Sequence, residues 1–346
     1  MNKALDIEQI DAGCLSDILG YEVASCSSAK VGTGQTGASY RLTLEAPQGP
    51  KTLLAKVAAG DLEARARVKG GYAAEVGFYA HLVDRVAVNT PACYYAAISD
   101  DRLHFTLLLE DLAPRRPGVQ AAGCTTQQAA GALRNLAGLH APLWNNPELY
   151  EQTFLLGTSG QRSAASVAGI AVAAVVEFEE RYAAQLGPEN LATVRAAVPQ
   201  LEAWLGAEQQ PFTVLHGDYR LDNLMFGESP DDVVALDWQT AAVGSPTRDL
   251  AYFIGTCLEE SQRRDAEGQL VRLYHDELRA RGIDDYPFER CFADYRRDML
   301  QATMITVIGA IYATGERSAD SDAMFLAMAT RSCAAIRDLG TLELAH

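Results

Sequence analysis

One polar loop, and the strand that follows it, constrain this chain more than any other feature. The loop reads His216-Gly217-Asp218-Tyr219-Arg220-Leu221-Asp222-Asn223, with the strand Val233-Val234-Ala235-Leu236-Asp237-Trp238 after it. The run from Val233 to Leu236 is apolar and strand-like, so a short hairpin can bring Asp218, Asn223 and Asp237 to one mouth. Phosphoryl transfer asks little more of a protein: a carboxylate to take the proton of a hydroxyl, and two oxygen ligands for magnesium. An H-G-D triplet alone is equally well an Asx-type turn. The Asn and the strand-ending Asp at these spacings argue against that simpler reading. His216 reads as a loop holder rather than a proton carrier.

The rest of the chain has two textures. Its 346 residues are 48% hydrophobic, enough for one large two-lobed domain, and 21% charged, which argues against disorder. Residues 7–19 have helical spacing and Gly20 is placed as a C-cap. Strand-like runs follow at 40–44, 52–57, 93–97 and 105–109, with one helix at about 71–86. Pro114, Pro117 and Gly118 mark a break. Beyond it the spacing predicts helices over 126–144, 159–185, 190–205, 258–281, 287–314 and 318–339. Short β-type runs at 213–215, 224–226 and 233–236 interrupt them. The expected fold is α+β: a small β-sheet lobe with an N-terminal helix over 1–112, and a larger, mainly helical lobe over 113–346.

The loop and strand resemble the H-G-D-x-x-x-x-N loop and magnesium-binding Asp of the aminoglycoside phosphotransferase and choline kinase superfamily. That superfamily is similar in fold to protein kinases. His-Gly-Asp-Tyr-Arg-Leu-Asp-Asn and Leu-Asp-Trp-Gln look closest to its bacterial branch of ecdysteroid kinase-like and choline kinase-like proteins. The resemblance implies a protein kinase-like fold with an antiparallel sheet lobe. It also implies Asp218 as catalytic base and Asn223 and Asp237 as magnesium ligands. Gly244-Ser245-Pro246-Thr247-Arg248-Asp249-Leu250-Ala251 looks like the family's next segment, where Asp249 would brace the loop by hydrogen bonds. Trp238 and Gln239 replace the Phe and Gly of the protein kinase triplet, so control by an activation loop is not expected.

Gly32-Thr33-Gly34-Gln35-Thr36-Gly37 fits G-x-G-x-x-G. A dinucleotide fold needs a helix directly afterwards, but residues 38–44 read as a strand. Strand–loop–strand suits the kinase arrangement, in which Gly32, Gly34 and Gly37 let the backbone approach the phosphates of ATP. A plain hairpin remains the alternative. Lys56 lies within the apolar run Leu53-Leu54-Ala55-Lys56-Val57-Ala58 and needs a partner for its charge. The kinase resemblance offers ATP phosphates and Glu75 on the helix; otherwise Lys56 snorkels from an edge strand and Glu75 is solvated. Leu107 to Leu112 is similar to the hinge strand of these kinases, which implies adenine binding to backbone groups from Glu110 to Leu112. His140 reads as a packed or capping histidine.

The net charge of 29 − 45 = −16 disfavours polyanionic partners, so neither nucleic acid nor membrane is expected. Solubility alone explains such a charge. Glu259, Glu260, Asp265 and Glu267 read as a solvated helix face rather than a cation site. Seven cysteines, with no C-x-x-C pair, favour a reducing, cytoplasmic setting. Residues 1–11 hold no apolar signal segment, and the longest apolar stretch, about 164–176, is too short for a bilayer. No feature sets an oligomeric state. The reading that follows is an ATP- and Mg2+-dependent phosphotransferase acting on a hydroxyl of a small-molecule acceptor whose identity stays open. AMP transfer on the same fold is an alternative. So is a silent ATP-binding module, although such modules usually lose a catalytic group and Lys56, Asp218, Asn223 and Asp237 are all present.

Overall fold

Asp11 decides where the first helix begins. Its carboxylate accepts the Cys14 N–H, so α1 spans Ala12–Leu19, and Ile7–Gln9 forms a separate 3-10 turn. The helix expected over 7–19 is therefore in two pieces, and Gly20, left-handed at φ 73°, closes the second. The structure is a computed structural model describing residues 3–32, 37–158, 163–207, 210–312 and 317–344. Contacts divide the chain into two units. One holds residues up to 84, 90–114 and 237–240, the other 85–89, 115–236 and 241 onward.

The first unit is a five-stranded antiparallel sheet with helices. Its strands are β1 (Ser25–Val31), β2 (Gly37–Glu45), β3 (Thr52–Ala58), β4 (Cys93–Ile98) and β5 (Phe105–Glu110), in the order β1-β2-β3-β5-β4. Leu53, Ala55 and Val57 alternate along β3 and pack with Ile10, Leu15, Leu42, Leu44 and Leu108 in one core. Each fully buried Leu or Ile there contributes about 1.5–3 kcal/mol. β1 carries no apolar alternation because it is an exposed edge strand of Ser, Cys and Lys. Between β3 and β4, α2 spans Leu62–Gly77 and runs on through a π-turn, Phe78–Leu82, and a 3-10 turn, Val83–Arg85. The helix expected at 71–86 thus begins at Leu62, capped by Asp61. Its charged, exposed first turns hide it from apolar spacing.

The second unit is mainly helical. It opens with β6 (Arg116–Pro117) and α3 (Thr126–His140), whose N-terminus carries a Thr125–Gln128 capping box. α3 stops short of the expected residue 144, giving way to a 3-10 turn at Ala141–Leu143 that contains Pro142. α4 (Ala164–Ala197) breaks at Gly187, where φ is 78° and ψ 164°, just before Pro188; α5 is Leu201–Gly206. Two hairpin-like pairings follow from β7 (Thr213–Leu215), β8 (Leu224–Phe226), β9 (Val233–Ala235) and β10 (Ala242–Gly244): β6-β8-β9 in one sheet, β10-β7 in the other. The remaining helices are α6 (Thr247–Cys257), α7 (Glu260–Ala280), α8 (Phe288–Arg297), α9 (Leu300–Tyr312) and α10 (Ala319–Leu339).

α6 does not show in the spacing, since nearly every residue in it is buried. The single helix expected over 287–314 is split into α8 and α9 around Asp298. That carboxylate is fully buried and accepts bonds from Ser245, Thr247, Trp204 and Arg297. The acidic run before and along α7 is not merely solvated. Glu267 bonds Arg263 and Tyr295, and Glu259 pairs with the buried Arg331. Among the described residues, no helix is long and apolar enough to cross a membrane.

Candidate active site

In the first unit β3 presents Lys56 opposite Ser39 of β2 and Leu107 of β5, so it is an interior-strand residue and not an edge one. Its Nζ donates to Glu75 Oε1 of α2 at 2.8 Å and lies 3.7 Å from Asp237 Oδ1. The snorkelling alternative therefore does not describe it. Burial pushes the ammonium down, but Asp237 and Glu75 outweigh burial and hold it above the ordinary lysine value. Glu75 is buried, and its second oxygen accepts the Gln239 side-chain amide at 3.2 Å. Lys56, Glu75, Asp237 and Gln239 thus form one connected polar cluster.

The segment that carries Asp237 is held by its neighbours. The Trp238 ring stacks on Phe78 at 3.5 Å between centroids, tilted by 6°, and its N–H donates to Thr90 Oγ1. The two departures from the protein kinase triplet are therefore structural: Trp238 packs and Gln239 reaches Glu75. Gly71 has a role spacing did not suggest. A Cβ there would sit 3.2 Å from Gln239 Cβ, so a glycine lets α2 pass close to this segment. Asp237 itself adopts φ 63°, a left-handed conformation that costs most residues about 1–2 kcal/mol and that Asp tolerates best after Gly and Asn.

Of the glycine-rich segment, Gly34 lies outside the described residues. Gly32 is left-handed at φ 70°. Gly37 starts β2 opposite Ala58, with room for a Cβ only 3.1 Å from the Val57 carbonyl and 3.7 Å from Lys56 Cε. At the end of β5, the Glu110 N–H donates to the Ala92 carbonyl, and the Glu110 carboxylate accepts the Ala92 N–H. Asp111 makes a two-point contact with Arg41, and Leu112 is buried. The Glu110 amide is thus committed to the strand end.

In the second unit α6 anchors the loop. Asp249, fully buried, accepts the backbone N–H groups of His216 at 2.7 Å and Gly217 at 2.9 Å. Burial raises its carboxyl pKa, but the bond from His140 and the donors of His216 outweigh burial and leave it below the ordinary aspartate value. His140 bridges Asp249 and the Tyr274 hydroxyl in the core, so it is a packing residue. Gly217 turns the loop at φ 82°. The His216 Nε2–H donates to the Leu236 carbonyl while Nδ1 accepts the Asp218 N–H, which ties the loop to the end of β9.

Asp218 emerges from this brace with 23% of its side chain exposed. Oδ1 accepts the Tyr252 hydroxyl at 2.7 Å; Oδ2 accepts Arg220 Nε at 3.1 Å and Asn223 Nδ2 at 3.0 Å. Asn223 Nδ2 also donates to the Asp218 carbonyl, which leaves the Asn223 side-chain oxygen without a hydrogen bond among the described residues. Arg220 continues to Asp222, whose other oxygen accepts the Gln120 N–H. The Gln120 side chain, fully buried, takes the Leu221 N–H and donates to the Thr256 carbonyl. Tyr252 and Gln120 are the residues of this cluster that sequence reasoning passed over; Arg220 and Gln239 stood inside quoted motifs but were given no role there.

A family model matches residues 37–282 under the description "Ecdysteroid kinase-like family". The chain belongs to the ecdysteroid kinase-like family. Every candidate residue of this ecdysteroid kinase-like chain except Gly32 and Gly34 lies inside the match. Its fold is shared by solved structures of low sequence identity. A choline kinase from Cryptosporidium parvum Iowa II is 10% identical, with a TM-score of 0.58, covering 92% of this chain and 91% of that one. A Plasmodium vivax ethanolamine kinase is 12% identical, with a TM-score of 0.57, over 90% and 83%. A microcompartment-associated aminopropanol kinase is 17% identical, with a TM-score of 0.55, over 96% and 99%. Among curated relatives, acyl-CoA dehydrogenase family member 10 of Mus musculus is 43% identical over 60 residues, which is 16% of this chain and 6% of that protein. Acyl-CoA dehydrogenase family member 11 of Pongo abelii is 31% identical over 107 residues, 25% and 13% respectively. The match thus spans a small fraction of these relatives.

Proposed function

We propose that this chain is a small-molecule kinase that moves the γ-phosphoryl group of ATP to a hydroxyl of an acceptor. The observation that carries the reading is the pairing of Asp218 with Asn223. A partly exposed carboxylate is held by an amide whose own oxygen has no hydrogen-bond partner among the described residues. Asp218 is the base: it takes the acceptor's hydroxyl proton as the oxygen–γ-phosphorus bond forms and the bond to the β-bridging oxygen breaks, releasing ADP. The Asn223 oxygen and the Asp237 carboxylate are hard oxygen donors suited to magnesium, with most coordination sites left to phosphate and water. When bound, magnesium would neutralise phosphate charge.

Lys56, held by Glu75, is assigned to the ATP phosphates. Gly32, Gly34 and Gly37 are assigned to the loop that covers them, and backbone groups near Glu110 and Leu112 to adenine. With the Glu110 N–H engaged, Leu112 is the better backbone donor. The choline, ethanolamine and aminopropanol kinases named above are called after amino alcohols, so these lead the list of acceptors to try. All seven cysteines are free, in keeping with a cytoplasmic setting.

The test is incubation with ATP and magnesium across amino alcohols, amino sugars, sugars and sterols, with products weighed by mass spectrometry. A gain of one phosphate that disappears in Asp218→Asn is the expected result. A gain of AMP would replace this reading with nucleotidyl transfer. Slow ATP turnover, indifferent to Asp218→Asn and to every acceptor, would favour a binding module.

A further inference from the structure

An ionised carboxylate offers about four lone-pair positions, two on each oxygen. On Asp218, Oδ2 already has two donors, Arg220 Nε and Asn223 Nδ2, and Oδ1 has one, the Tyr252 hydroxyl. Among the described residues one acceptor position therefore remains, and it is on Oδ1, beside the phenol. Tyr252 is itself fully buried, so it offers no surface to a substrate. It stands three positions after Asp249 (252 − 249) on α6, hence on the same helix face. Asp249 holds the loop backbone through the His216 and Gly217 amides, and Tyr252 holds the side chain. One helix fixes both the height of the loop and the orientation of its carboxylate. Burial, and then the charge of Asp218, keep the phenol protonated far above the ordinary tyrosine range, so it remains a donor.

We infer that Tyr252 is a positioning residue: by occupying one side of Asp218 Oδ1 it turns the carboxylate so that the acceptor hydroxyl can donate to the remaining side of that same oxygen. This rests on the reading of Asp218 as base. Oδ2 is saturated by the loop's own donors and takes no part in proton transfer. The Tyr252 hydroxyl is neither consumed nor ionised in the reaction. It acts through the geometry of Asp218.

The experiment uses the full chain with MgATP, and water as the acceptor, following phosphate release. Tyr252→Phe keeps the ring and deletes the hydroxyl. Its expected effect is a loss of about tenfold to a hundredfold in kcat, the range for a misaligned reacting group, with KM for MgATP unchanged. Asp218→Asn serves as the reference. If it abolishes release while Tyr252→Phe keeps full kcat, or raises only KM, Tyr252 does not position the base and the role of Asp218 stands. If Asp218→Asn keeps full activity, the proposed function fails and this inference with it. A second measurement does not depend on turnover: a double-mutant cycle in urea on Asp218→Ala and Tyr252→Phe. The Tyr252 change should shift the folding equilibrium about tenfold in the parent and less than about twofold in the Asp218→Ala background. Additive effects would overturn the inference.

Discussion

Lys56 Nζ lies 2.8 Å from Glu75 Oε1, with side-chain exposures of only 13% and 2%. A pair this enclosed contributes little net stability when intact, because desolvation offsets attraction, but losing one partner strands the other. Lys56→Met leaves Glu75 charged or forces it to take up a proton. The expected cost is about 3 kcal/mol in urea unfolding at neutral pH. Glu75→Gln, which keeps hydrogen-bonding groups toward Lys56 and Gln239, should cost about half as much. An unaltered urea midpoint in Lys56→Met would mean that the pair is looser than its distance indicates.

Asp249 gives a pH-dependent prediction. Its folded pKa is depressed below the ordinary aspartate value of 3.8, so the anion binds its donors better than the acid does. Its stabilisation is fully present above the unfolded pKa and is lost as pH falls through the folded one, which puts the window below about pH 4. Asp249→Asn replaces one acceptor oxygen with an amide facing an N–H donor. At pH 7 it should destabilise by about 3 kcal/mol. The gap between wild type and variant should then narrow between pH 4 and pH 3. A gap constant over that range, measured by urea midpoints, would show that the charge of Asp249 is not the source.

What the sequence discloses here follows from locality. Asp218, Asn223 and the bracing Asp249 sit in contiguous motifs, and Lys56 stands out as a charge in an apolar run. The change from a β-rich to a mainly helical stretch is legible because strand and helix periods occupy different parts of the chain. Tyr252 is one aromatic residue in a helix buried on nearly every side, and Gln120 is a loop residue whose bond to Leu221 spans 101 positions. No local pattern marks either. Gly71 reads as a helix start, yet it lies inside α2, where the approach of Gln239 leaves little room for a side chain. The Asp237–Thr240 segment belongs with the first unit although it follows the second unit's hairpin in sequence.

Gly118 reads as a breaker, and its constraint is a close approach. A Cβ there would stand 2.7 Å from the Leu221 carbonyl oxygen and 2.8 Å from Leu221 Cβ, while its N–H bonds the Leu224 carbonyl. Gly118→Ala must move either the segment just after β6 or the loop turn at Leu221–Asn223. Overpacking of this kind costs about 1–3 kcal/mol. Because Asn223 moves with Leu221, phosphate release should also fall, by up to about a hundredfold for a displacement near one ångström. Thermal unfolding and turnover measured together test this. A folded variant with full turnover would show that the contact relaxes without reaching Asn223.

Asp237 combines a left-handed backbone with a carboxylate proposed for magnesium, and substitutions can separate the two. At φ 63° an Asn is tolerated at least as well as Asp, whereas an Ala incurs the left-handed penalty of about 1–2 kcal/mol. Asp237→Asn should therefore stay within about 1 kcal/mol of wild type, and Asp237→Ala should be less stable than Asp237→Asn by roughly that penalty. Both remove the anion 3.7 Å from Lys56. Binding of ATP should then lose most of its dependence on magnesium in both variants, measured by titration calorimetry with and without the ion. Equal stabilities for the two variants would remove the backbone argument. An undiminished magnesium effect would remove Asp237 from the metal site even if the strain is confirmed.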